Sequence, residues 1–155
     1  MEEGESARAL TYLRELLEES ESKGREYHTG NILLDYMLTE HHNWCNERGI
    51  QSLIVLNLPA PLQLDDYELT VLLGNLMDNV KNALSALDSA DNAFSKLTIY
   101  QEEGKFQILF QNTCNPDAVG RPGWGIHNLT TVVDRYQGLY EAKVIGNTYQ
   151  ALVVL

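Results

Sequence analysis

Cysteine is nearly absent. Cys45 and Cys114 are the only two in 155 residues, so no disulfide framework holds the chain, and a reducing compartment is its expected setting. Basic side chains are scarce as well: Lys and Arg number 11 against 22 Asp and Glu, for a formal net charge of −11 and a pI near 4.6. That balance argues against a partner such as a nucleic-acid backbone or an anionic membrane surface. It leaves room for an anionic small ligand held by backbone N–H groups and a metal ion. No run of ~18 apolar residues occurs, and the N-terminus is acidic where a signal peptide is basic, so the expectation is a soluble, cytosolic piece of chain. Internal repeats, low-complexity tracts, a Walker loop, a Rossmann fingerprint and Ser/His/Asp or Cys/His nucleophile patterns are all missing. His41 and Cys45 share a helix face at i and i+4 but lack the further ligands a zinc site needs. Ordinary structural roles suit them better.

What is present is an ordinary globular composition, 44% hydrophobic and 21% charged, enough for one domain with its own core. Residues 1–25 read as a separate amphipathic helix, with Ala9, Leu10, Leu13, Leu16 and Leu17 on one stripe and Gly24 as its C-cap. A narrow leucine stripe on a charged helix suggests a helical dimerisation element rather than simple docking. A second helix starts near Thr29 as N-cap, turns Ile32, Leu33, Tyr36, Met37 and Trp44 inward, and ends at Arg48-Gly49. A strand over 52–58 is broken by Pro59 and Pro61. The longest helix spans about 65–87, with Asp65 and Asp66 at its positive end and Leu69, Leu72, Leu73, Leu76, Val80, Ala83, Leu84 and Leu87 on one face. Strands at 94–101 and 105–111 follow, then an irregular stretch over 112–125, a helix over 124–136, and a hairpin of 139–145 and 148–155 turning on Gly146-Asn147. Helices mixed with hairpins predict an α+β fold, a two-layer sandwich of helices on a mixed, mostly antiparallel sheet, with an extra N-terminal helix.

Two segments carry chemistry. On the long helix Asn75, Asn79 and Asn82 fall on one line at i, i+4 and i+7, on the shoulder between the apolar and solvent faces. Asparagine is a mediocre helix former, because its amide competes with the backbone, so three on one shoulder call for a partner. A neutral amide oxygen suits Mg²⁺, which takes few protein ligands and leaves its other positions to water and phosphate. Taken alone, the line reads equally as a solvated shoulder. The second segment is Gly123-Trp124-Gly125-Ile126-His127-Asn128, glycines running straight into a helix. Glycine lets backbone approach a phosphate closely, and the first helical N–H groups supply donors and a positive dipole end. By itself such a pair is more often only a turn.

Together these segments resemble a known family. Asn75-Leu76-Met77-Asp78-Asn79 is similar to the N-box of the ATP-binding fold shared by histidine kinases, gyrase, the Hsp90 chaperone and MutL. The stretch 123–128 resembles its second glycine box, and Tyr136-Gln137-Gly138 its Tyr-x-Gly helix ending. Residues 29–35, Arg48-Gly49-Ile50 and Tyr12-Leu13-Arg14-Glu15-Leu16 look like the peptide-sensing, quorum-type histidine kinases, the last as the end of their dimerisation helix.

The resemblance implies ATP between the helix layer and a lid. Asn79 would hold Mg²⁺, with Asn75 beside it, while Gly123, Gly125 and Ile126 would cradle the triphosphate with Arg121, the only lid cation. Gyrase and Hsp90 relatives carry a glutamate as base for water four residues before the metal asparagine, and here that position is Asn75. Transfer is therefore favoured over hydrolysis. Departures are visible too: the first glycine box is missing, with Asn112 at the end of a strand where an aspartate would read adenine, and Asn82 stands in place of a basic residue. His28, His41, His42 and His127 do not sit where the family's phosphoacceptor does, so that histidine lies outside this chain.

The expectation is thus a helix end and linker at 1–26 and a catalytic ATP-binding domain at 27–155. The whole protein would be a homodimeric sensor kinase, its dimerisation and phosphoacceptor helices on the same polypeptide, acting on a response regulator as the cytoplasmic part of a membrane-anchored sensor. The rivals are a non-catalytic module of the same fold, acting by interaction or dimerisation, and a stand-alone ATPase.

Overall fold

The computed structural model describes residues 2–20, 27–59, 61–118 and 124–155. Its elements are α1 (Glu2–Ser20), α2 (Ile32–Glu47), β1 (Gln51–Asn57), α3 (Asp66–Ser85), β2 (Phe94–Glu102), β3 (Lys105–Thr113), a 3₁₀ turn at Pro116–Ala118, α4 (Trp124–Arg135), β4 (Leu139–Ile145) and β5 (Thr148–Val154). The strands form one mixed sheet in the order β1-β2-β3-β5-β4, with β1 parallel to β2 and the remaining pairs antiparallel. Helices α2, α3 and α4 cover one face. This is the two-layer α+β sandwich anticipated from the sequence.

Alternation decides which strand residues meet the helices. Ser95, Leu97, Ile99 and Gln101 of β2 and Phe106, Ile108, Phe110 and Asn112 of β3 are buried, while their neighbours are half-buried or exposed. The β2–β3 hairpin turns on Glu103 and Gly104, at φ +50° and +79°, the left-handed pair of a two-residue turn that matches strand twist. Helix α3 lays Leu69, Leu72, Leu73, Leu76, Met77, Val80 and Leu84 on this core.

Helix α2 differs from the sequence reading. Its N-cap is Asn31, whose side chain accepts from the Leu34 N–H, and Thr29 instead bonds the buried Asp35 carboxylate through both N–H and hydroxyl, at 2.9 and 2.6 Å. The inward line is Leu34, Leu38, His41 and Cys45, whereas Tyr36 is exposed and Ile32, Met37 and Trp44 lie at the margin.

Helix α1 is present, and Leu10 packs against the domain core while Arg14 forms an ion pair with Asp66 at the start of α3. Ala9 is exposed, and Gly24 lies outside the described residues.

Helix α3 opens with a capping box. The Asp65 carboxylate accepts from the Glu68 N–H at 2.7 Å, and the Glu68 side chain accepts from the Asp65 N–H at 3.2 Å. The same Glu68 oxygen takes the Tyr136 hydroxyl at 2.7 Å, tying the start of α3 to the end of α4. Asp65→Ala should therefore cost about 1 kcal/mol. A thermal melt should show it as a fall of roughly 2–4 °C.

Candidate functional site

Asn75, Asn79 and Asn82 share the α3 shoulder as their spacing requires, but their environments differ. Asn75 and Asn79 are half-buried and Asn82 is exposed. The Asn75 Nδ2 donates to the Val71 carbonyl at 2.6 Å, which fixes the amide and directs its oxygen away from the α3 backbone. That oxygen meets the start of α4: a Cβ built on Gly125 would overlap it and stand 2.9 Å from the Asn75 Cγ. Gly125 has no positive φ, so its glycine is a requirement of space rather than of torsion. The structure thus brings Asn75, Gly125 and the first turn of α4 together, one helical turn from Asn79. Ile126 is half-buried beside them, and Arg121 and Gly123 lie outside the described residues.

Asn112 is the next-to-last residue of β3, near the strand end where the sequence puts it. It is paired with Ser95 of β2 and Tyr149 of β5, a ladder on both sides that outweighs the poor strand preference of asparagine. Its side chain is completely buried; Nδ2 donates to the Thr113 carbonyl at 3.0 Å, and Oδ1 has no partner. A buried acceptor left unpaired is costly, so an N–H donor from a ligand fits this position. The residues present therefore suit the amino edge of a purine, with acceptor capacity only.

Beside Asn112 lies a buried polar cluster in which His41 and Cys45, read from the sequence as structural residues, meet Ser95. His41 Nε2 is 2.9 Å from the Ser95 hydroxyl, Cys45 Sγ is 3.7 Å from the same nitrogen, and the His41 ring meets Phe110 edge-on at 5.5 Å. Burial, helped by the nearby Lys81 and His42 charges, pushes the His41 imidazole down to about 4, and burial pushes the Cys45 thiol up to about 11. Neutral imidazole and protonated thiol make this an inert pair.

Lys81 lies 5.7 Å over the Trp44 ring, which also carries Arg48 at 4.2 Å, so the only cation on the asparagine stretch of α3 faces α2. Among the described residues, no group of three His, Cys, Asp or Glu side chains could hold a metal ion. Any metal here would rest on amide oxygens, a type of ligand that Asn79 on the half-buried α3 shoulder could supply. No helix among the described residues is long and apolar enough to cross a membrane.

No known family and no curated protein matches this sequence. Solved structures do. The histidine kinase domain of a blue-light activated histidine kinase from Erythrobacter litoralis EL346 superposes with a TM-score of 0.63 at 9% identity, over 85% of this chain and 62% of that one. Acinetobacter baumannii histidine kinase AdeS gives 0.60 at 13%, over 96% and 79%. The nucleotide-free catalytic domain of histidine kinase ThkA gives 0.61 at 14%, over 79% and 92%. The chain spans under two thirds of the length of the Erythrobacter domain and 40% of the longer Erythrobacter chain. Its fold is that of histidine kinase catalytic domains.

Proposed function

We propose that this chain is the ATP-binding, catalytic part of a sensor histidine kinase, passing the γ-phosphoryl group of Mg-ATP to a histidine outside it. The observation that carries the reading is Asn112, a fully buried side chain whose Oδ1 has no partner among the described residues. Asn112 would accept from the adenine amino group. Asn79 would hold Mg²⁺, which when bound neutralises charge on the phosphates as the terminal group departs. The first turn of α4, with Gly125 and Ile126, would offer N–H donors to the phosphates. Gly123 and Arg121 would join it, and Asn75 and Asn82 would border it on α3.

In this reading residues 1–26 are the end of a dimerisation helix and its linker, and 27–155 the catalytic domain. The partners are the phosphoacceptor helices of the same protein, a second copy of it, and a response regulator. The quorum-type subgroup and a cytoplasmic position under a membrane-anchored sensor belong to the same proposal. Their support is the likeness of residues 29–35 and 12–16 to that subgroup.

Thermal unfolding with Mg-ADP tests it. Ligand at 100 times its dissociation constant adds about 2.7 kcal/mol, roughly 5–10 °C for a chain of this size. The expected result is a Mg²⁺-dependent rise in the wild type that Asn79→Ala abolishes. No rise at millimolar ADP would overturn the reading in favour of a non-catalytic module of the same fold.

A further inference from the structure

Asn75 sits four residues before Asn79, in the place where the related hydrolases carry a carboxylate, and its surroundings point to a different task. We propose that Asn75 is a positioning residue: its carboxamide is the spacer on which the start of α4 closes, and it sets the first turn of α4 against Asn79 without itself holding the metal. The proposal rests on the nucleotide reading above.

Both ends of the Asn75 amide are engaged. Nδ2 is held by the Val71 carbonyl at 2.6 Å, one turn back on α3, so the amide cannot rotate without losing that bond. The oxygen faces Gly125, where an added Cβ would overlap it, stand 2.9 Å from Cγ and 3.4 Å from the Asn75 Cβ. With its nitrogen held on α3 and its oxygen lying against the start of α4, the amide is oriented by the helix contact rather than toward an ion.

Gly125 completes the argument. It is helical, and glycine in a helix costs about 1 kcal/mol relative to alanine. With no positive φ to justify it, what it supplies is room for Asn75. The contact lies at the second residue of α4, within the turn whose N–H groups have no intrahelical acceptor. Four residues on along α3, about 6 Å, is Asn79. Moving the spacer therefore moves donors and metal ligand relative to each other, and a misplacement of ~1 Å can cost ~100-fold in a transfer site. The chain thus lacks the carboxylate that a water-activating base at 75 would supply.

The test is ADP affinity at 15 °C, where folded protein predominates, measured with Mg²⁺ and again with EDTA. Four variants are compared with the wild type: Asn75→Ala, Gly125→Ala, the double Asn75→Ala/Gly125→Ala, and Asn79→Ala. Asn75→Ala should weaken binding roughly ten-fold, by the same factor in both buffers, whereas Asn79→Ala should weaken it only with Mg²⁺. Gly125→Ala should do more damage alone than when added to Asn75→Ala, because the truncated side chain removes the obstacle; melting temperatures should show the same coupling. A loss confined to Mg²⁺ for Asn75→Ala, or additive effects in the double variant, overturns the proposal and leaves the nucleotide reading standing. Wild-type protein that binds no ADP in either buffer overturns both.

Discussion

Acidification from pH 7 to about 4 should remove on the order of 3 kcal/mol of stability through His41 alone. The side chain is 1% exposed, enclosed by α2 above and β2 and β3 below. Its Nε2 meets the Ser95 hydroxyl, its ring edge meets Phe110, its Nδ1 has no partner, and Lys81 and His42 add positive charge nearby. Nothing there welcomes a proton. In the unfolded chain the imidazole protonates near 6.5, whereas burial first, and the two charges second, hold it at about 4 in the fold. Below pH 6.5 the unfolded state therefore binds the extra proton, and stability falls until the folded state also protonates near 4. The gap of 6.5 − 4 = 2.5 pH units, at 1.36 kcal/mol each, gives the estimate. Carboxylates titrate in the same range, so the measurement is a difference. His41→Gln keeps a donor for Ser95 but cannot ionise. Urea midpoints at pH 7, 5.5 and 4.5 should diverge, the wild type falling faster; parallel curves would show that His41 is not the group responsible.

This histidine also marks the limit of what the chain reveals before it folds. Helix α3 was legible in its buried face, because its leucines repeat at helical spacing, whereas its end at Ser85 falls two residues before the reading and its capping box emerges only in the structure. The strands followed from β-branched runs between turn residues, and β1 came within one residue of its place. On α2 Leu33 is buried as its spacing predicts while Tyr36 is not, and Thr29 and Asn31 are equally good caps in sequence. The structure decides between them through buried Asp35, which takes the Thr29 hydroxyl. Asn112 lies near the end of β3 as expected, and the ladder runs one residue further, to Thr113. For the candidate site, the asparagine line and the glycine start of α4 could be read separately. Their meeting could not, since the approach of Gly125 to Asn75 depends on how two helices pack, which no local spacing encodes.

Gly138→Ala should destabilise the domain by about 3 kcal/mol, at the upper end of overpacking effects, and lower its melting temperature by roughly 6–12 °C. Gly138 follows α4, where Gln137 takes φ +53° and the Gly138 N–H returns to the Val133 carbonyl at 3.0 Å, a Schellman-type ending. A Cβ on Gly138 would overlap the Val154 carbonyl oxygen and stand 3.3 Å from the Leu155 Cα. Those obstacles cannot step aside. Leu155 exchanges two backbone hydrogen bonds with Phe106, at 2.8 and 3.3 Å, and Val154 is paired on both sides by Gln107 and Leu139. Relief must come from lifting the end of α4 off the sheet. At Gly104 an added Cβ meets nothing within 4 Å, and only the torsion at φ +79° resists, about 1–2 kcal/mol. At Gly125 the obstacle is a side-chain tip that can swing by giving up the Val71 bond. Melting temperatures of the three alanine variants should accordingly fall furthest for Gly138→Ala, and a shift below about 2 °C there would refute the close approach. The two ends of α4 thus serve different purposes: Gly138 fixes the helix to the sheet that carries Asn112, and Gly125 sets its first turn against the helix that carries Asn79. Lifting the Gly138 end should tilt α4 and shift the donors of its first turn at the other end, weakening ADP binding in Mg²⁺ and in EDTA alike, since Asn79 stays on α3.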